Sequence, residues 1–140
     1  MILIALEDND ERIREMKRCI PKAYQFIYSK TEVGVIKIIK DNISKGMVIS
    51  LDHDLEKEKK DDPDPGDGRG VVRWLAENRV PATVIIHTSN NIMGDSMYYN
   101  LLDAGYIVER VSPYEGVVWI GKTWAKVLEK WSNQSVNSSP

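Results

Sequence analysis

The chain has 140 residues, 42% of them hydrophobic and 29% charged, which excludes a disordered or fibrous chain and fits one domain with a real core. With 19 basic and 21 acidic residues the net charge is −2, whereas a duplex nucleic-acid binder should carry a basic excess. The single cysteine, Cys19, can form no internal disulfide, and no stretch reads as a signal peptide or membrane span, so a reducing, cytoplasmic setting is expected.

Ile2–Leu6 reads as a first buried strand, closed by Glu7 and Asp8. Asn9 or Asp10 can cap a helix that carries Ile13, Met16 and Ile20 and is stopped by Pro21. Tyr24–Tyr28 is a second strand, and Thr31 caps a helix to about Asn42. Met47–Ile49, Ser50 and Leu51 form an uninterrupted run of apolar and small residues, as in a central parallel strand covered on both faces. Glu56–Gly70 is all Lys, Glu, Asp, Pro, Gly and Arg and reads as a solvated loop near the rim. A helix follows from Gly70 to about Asn78, then a strand at Thr83–Ile86 ending at His87. Next come a helix from Asn90 to Ala104 with Gly105 as C-cap, a strand at Tyr106–Val111, and an amphipathic helix at Ile120–Trp131. Residues 1–131 are expected to form one domain, with 132–140 a polar, frayed tail. Strict β-α alternation predicts an α/β three-layer sandwich: a five-stranded parallel sheet of order 2-1-3-4-5, the flavodoxin-like order.

In such sheets ligands sit beyond the carboxyl ends of the strands. That rim would receive Glu7 and Asp8 from strand one, Asp52, His53 and Asp54 from strand three, and His87, Thr88, Ser89 and Asn90 from strand four. Crowded carboxylates repel unless protons or cations neutralise them, so the pattern points to a divalent metal at Asp8, Asp52 and Asp54, with Glu7 beside them. Carboxylates favour Mg²⁺ or Mn²⁺ over Zn²⁺. If the chain stays extended, Asp52 and Asp54 share a side and His53 points away. His87 suits a general acid or base or a ligand. Thr88, Ser89 and Asn90, with Arg12 and Arg110, could hold phosphate oxygens.

This set of residues resembles the receiver domain of response regulators: an acidic pair after the first strand, an Asp after the third and a hydroxyl residue after the fourth. It departs where receivers place a Lys after the fifth strand, since Glu109-Arg110-Val111-Ser112-Pro113 stands there. It is more similar still to the cyclic-phosphate processing receiver domain family. The matching segments are Glu7-Asp8 with Arg12, Ser50-Leu51-Asp52-His53-Asp54-Leu55, Asp67-Gly68 with Val71-Val72-Arg73-Trp74-Leu75, and His87-Thr88-Ser89-Asn90 with Met97. Glu7 stands where an Asp is expected and Asn91 where a Pro is expected. The resemblance implies a metal-dependent enzyme, a phosphoesterase-like hydrolase acting on cyclic or terminal phosphates of nucleotide-derived molecules. It would use His87, His53 and Asp52 in catalysis, and a small phosphorylated molecule or cyclic nucleotide would be its ligand. Two other readings share the same residues: a signalling receiver phosphorylated on Asp52, and a protein that binds a phosphorylated small molecule without turnover.

Overall fold

The computed structural model describes residues 1–43 and 46–137, with side chains as far as Gln134. Five strands, β1 (Ile2–Leu6), β2 (Gln25–Ser29), β3 (Met47–Leu51), β4 (Ala82–Ile86) and β5 (Ile107–Arg110), pair in parallel in the order β2-β1-β3-β4-β5. The expected flavodoxin-like sheet is therefore present. Between the strands run α1 (Asp10–Cys19), α2 (Glu32–Asp41), α3 (Gly68–Glu77) and α4 (Asn91–Asp103). A π-helical turn at Ile120–Trp124 leads into α5 (Ala125–Asn137).

Side chains start the first four helices. Asn9, Thr31, Asp67 and Asn90 each accept a hydrogen bond from a backbone N–H three residues on. Such caps are worth about 1 kcal/mol apiece. Of the two residues that the sequence offered for α1, Asn9 is the cap, and one boundary differs from the sequence reading: the Asp67 cap starts α3 at Gly68 instead of Gly70. The last helix also runs on through Asn137, beyond the expected stop at Trp131; Trp131 and Ser132 are buried, and a polar sequence continues a helix once its apolar face is anchored. Residues 138–140 of the expected tail lie outside the described residues. Tyr24 and Tyr106 sit just before β2 and β5 rather than in them. Each is held by its hydroxyl, which donates to Leu128 O and Leu75 O respectively, both at 2.7 Å.

Strand alternation divides the core. Ile4, Ile49 and Val84, with Leu6, Leu51 and Ile86, pack against α2, α3 and α4 through Val35, Ile39, Leu75 and Met97. Leu3, Val48 and Ile85 face the other way, against Met16 of α1 and the block formed by Trp119, Trp124 and Leu128. Register then positions the site. Leu6 is level with Leu51, and Leu51 with Ile86, so the three strands stop at one height. The next residues, Glu7, Asp52 and His87, emerge side by side. A period of two turns them toward the layer of α1 and the tryptophans.

Candidate functional site

The ladder continues one residue past each strand end. Glu7 N donates to Ser29 O (3.1 Å), Asp52 N to Leu6 O (3.1 Å) and His87 N to Leu51 O (2.9 Å), so backbone hydrogen bonds fix the three side chains. All three are buried, and their candidate ligand atoms lie within 4.8 Å of one another.

A hydrogen-bond network links them. Glu7 Oε2 accepts from the N–H groups of Asp8 and Asn9, both at 3.0 Å. Its Oε1 faces His87 Nε2 at 3.1 Å and Arg12 Nη1 at 3.4 Å. Asp52 Oδ1 accepts from the His53 N–H (2.7 Å), and its Oδ2 from Arg12 Nη1 (3.3 Å). Arg12 thus lies between the two carboxylates, with its guanidinium over the Trp119 ring at 5.4 Å, and the His87 ring stacks on the same tryptophan at 5.8 Å. Behind His87, Nδ1 meets Ser50 Oγ at 2.6 Å, and Ser50 Oγ accepts from Trp124 Nε1 at 3.0 Å.

These contacts separate the two acids. Burial pushes the Glu7 carboxyl up, but the His87 hydrogen bond, the Asn9 N–H and Arg12 outweigh it and hold its pKa below the ordinary glutamate value. Burial also pushes Asp52 up; His87 opposes it, the charge of Glu7 adds to it, and its pKa ends above the ordinary aspartate value. Two neighbouring acids with pKa values moved in opposite directions are a common mark of a working site.

The other residues singled out in the sequence are placed differently. Asp8 stands outside the buried triad, where its Oδ2 accepts from Glu56 N at 2.6 Å; burial raises its pKa. Asp54 does not join Asp52 either. The chain bends at His53, which leaves Asp54 exposed, bonded to His53 Nδ1 at 2.7 Å and near Asn90 Nδ2 at 3.4 Å. Both acids instead line the mouth, an open cleft of about 410 Å³ shared with Asp10, Arg12 and Glu56. Among the described residues the acids and imidazole whose ligand atoms come together are therefore Glu7, Asp52 and His87, whereas the sequence reading grouped Asp8, Asp52 and Asp54.

His53 lies in the opposite wall. Its O accepts from Gly68 N (3.1 Å), and its Nε2 is buried without a hydrogen-bond partner among the described residues, 3.8 Å from Asp67 Oδ2. Gly68 is needed there, since a Cβ would come within 2.2 Å of Asp52 O. The end of the loop expected to be wholly solvated is in fact buried: Pro65, Gly68 and Gly70 pack inward, and Glu32 Oε1 accepts from Asp67 N at 3.2 Å. Thr88 is buried and its Oγ1 accepts from Asn90 N (3.1 Å), Ser89 is exposed, and Asn90 caps α4, so Thr88 and Asn90 first serve the turn. Arg110 is tied to Asp95 at 2.5 Å and packs beside Gly94, which Thr88 also flanks.

The sequence matches the cyclic-phosphate processing receiver domain family over residues 2–103. The chain belongs to that family. Several solved receiver structures share its fold. The response regulator domain of Thermotoga maritima CheB is 16% identical with a TM-score of 0.68, covering 100% of this chain and 98% of that one. The response regulatory domain of mrkE from Klebsiella pneumoniae is 14% identical with a TM-score of 0.66, covering 99% and 100%. A CheY-like receiver from Methanospirillum hungatei JF-1 is 18% identical with a TM-score of 0.63, covering 95% and 98%. No curated protein matches the chain. No helix among the described residues is long and apolar enough to cross a membrane.

Reading the sequence missed three residues of this receiver-family site. Ser50 passed as a small residue of an apolar strand, although a hydroxyl on the central strand of a buried sheet needs a partner and is a signal in itself. Trp119 lay outside the expected last helix, and Trp124 was assigned only to that helix's apolar face. Both lie beyond the matched segment, yet Trp119 walls the site and Trp124 bonds to it.

Proposed function

We propose that the chain is a phosphoesterase-like member of this receiver family, acting on cyclic or terminal phosphates of small, nucleotide-derived molecules. The observation that carries the reading is the His87–Glu7 pair at the rim, in a chain where Val111-Ser112-Pro113, and not a lysine, directly follows β5. In the receivers that the chain resembles, that lysine completes the phosphate site. Here the last residue of β5, Arg110, is engaged with Asp95.

Each residue has a role that follows from its contacts. His87 presents Nε2 to Glu7 from a buried strand end, so the His87–Glu7 pair can hold or take up a proton at the rim; such general catalysis is worth roughly 10²–10⁴ in rate. Arg12 retains 20% side-chain exposure at the cleft, so guanidinium N–H groups can meet phosphate oxygens from that side. Ser89 and Asn90 stand at the start of α4, whose N-terminus favours an anion.

The donor set fits a hard divalent cation better than a soft one. Glu7 and Asp52 would hold it, with Mg²⁺ or Mn²⁺ preferred to Zn²⁺, and Arg12 would give up its place between them. When bound, such an ion neutralises phosphate charge and lowers the pKa of a coordinated water.

The test is to incubate the purified protein with Mg²⁺, Mn²⁺ or Zn²⁺ and a panel of cyclic and linear nucleotides, following the products by phosphorus NMR. New phosphate resonances that depend on protein and metal support the reading; an unchanged spectrum across the panel refutes it. The shared receiver fold and an Asp directly after β3 favour a second reading, a signalling receiver phosphorylated on Asp52. Acetyl phosphate or beryllofluoride with Mg²⁺ decides between the two, because a phosphate mapped to Asp52 would promote the signalling role.

A further inference from the structure

The bonds behind His87 determine which of its nitrogens carries the proton. Ser50 Oγ has two hydrogen-bond partners among the described residues, Trp124 Nε1 and His87 Nδ1. An indole N–H can only donate, so it occupies a lone pair of the hydroxyl and leaves the Ser50 hydrogen for the imidazole. The other end agrees. Glu7 Oε1 is a carboxylate acceptor at 3.1 Å from Nε2, which bonds to it only as an N–H donor. With Ser50, Glu7, His87 and Trp124 all buried, the opposite tautomer would leave the Ser50 hydroxyl without an acceptor and set a ring lone pair against a carboxylate.

We propose that Trp124 and Ser50 are positioning residues that lock His87 as its Nε2–H tautomer, aimed at Glu7, so that His87 meets the rim as a hydrogen-bond donor and not as a metal ligand. A cation in this site would then be held by Glu7 and Asp52, with His87 orienting the Glu7 carboxylate through a hydrogen bond, as partners behind a ligand commonly do. The catalytic consequence rests on the phosphoesterase reading, whereas the lock itself rests on the four side chains and their distances. Trp124 lies outside the family match at residues 2–103, so the C-terminal part of the chain supplies one end of this device and the matched segment the rest.

The chain has two histidines, so the imidazole nitrogens can be assigned by comparing the wild type with His53→Ala in long-range proton–nitrogen NMR spectra at neutral pH. The expected His87 pattern is a pyrrole-type Nε2 bearing the proton and a pyridine-type, hydrogen-bonded Nδ1. It should persist when Mg²⁺ or Zn²⁺ is added. Ser50→Ala should move the Nδ1 signal toward that of an unbonded pyridine-type nitrogen. Trp124→Phe frees a Ser50 lone pair and should draw the two nitrogen signals closer by tautomer exchange. An Nδ1–H pattern in the wild type, or loss of the Nε2 proton on metal addition, overturns the proposal; so does a pattern unmoved in folded Ser50→Ala. If Trp124→Phe does not fold, the wild-type and Ser50→Ala spectra still decide. The expected spectra without any turnover of phosphate esters would leave the lock standing and remove the phosphoesterase reading.

Discussion

Replacing Asp52 by Asn should stabilise the protein at neutral pH while removing a charge that the site needs. Asp52 is 6% exposed. Burial, reinforced by the charge of Glu7 and opposed by the His53 N–H and Arg12, leaves its pKa above the ordinary aspartate value. An acid whose folded pKa is raised binds its proton more readily when folded, so ionising it costs folding free energy. That cost is absent below the ordinary aspartate pKa, grows between it and the raised folded value, and is constant above. Asn keeps the acceptor for the His53 N–H at 2.7 Å and nearly the same shape. What it loses is the 3.3 Å contact with Arg12, a partly exposed guanidinium that water can solvate, worth about 0.5–1.5 kcal/mol. Relief of the buried charge and of its repulsion by Glu7 exceeds this. The net gain should be about 1 kcal/mol, the usual yield of correcting one unfavourable feature. For a domain of this size that is about 2–4 °C in melting temperature. Calorimetry in chelator-treated buffer, from acid to neutral pH, measures it. Added Mn²⁺ should then raise the melting temperature of the wild type and not of Asp52→Asn. A variant that melts below the wild type at neutral pH, or a gap that fails to close toward acid, would refute the reasoning.

Glu7→Ala should do the reverse, because it strips His87, Arg12 and two backbone N–H groups of one shared acceptor; a loss of about 3–5 kcal/mol is expected in urea titrations. With a lowered folded pKa, the contribution of Glu7 is present above the ordinary glutamate pKa and lost as pH falls through the folded value, so the gap between wild type and Glu7→Ala should narrow in acid. Gly68→Ala sets a Cβ within 2.2 Å of Asp52 O and 2.6 Å of the Met97 Cε, forcing the backbone behind the site to shift. It should cost about 1–3 kcal/mol by thermal melting, and a variant as stable as the wild type would mean that the wall is looser than described. His87→Ala should lower single-turnover rates at least about tenfold with the fold retained by circular dichroism, while His53→Ala, in the opposite wall, changes them less.

The five-stranded order and most helix starts could be read directly from the chain, because period, caps and breakers are local and each strand carries its own apolar run. The same logic brought Asp52 and His87 to one rim, since residues that follow central strands must share the carboxyl edge. Three-dimensional register decided the rest. Leu6, Leu51 and Ile86 end level, and that alone selects Glu7 over Asp8 as the buried acid. A bend at His53, which no local propensity demanded, turns Asp54 out to solvent. Ser50 and Trp124 lie 74 residues apart, and sequence spacing carries no information about a hydrogen bond made across two layers. Local chemistry determines which elements form; which polar atoms meet depends on the height at which packed strands stop and on the side chains that the far end of the chain lays against them.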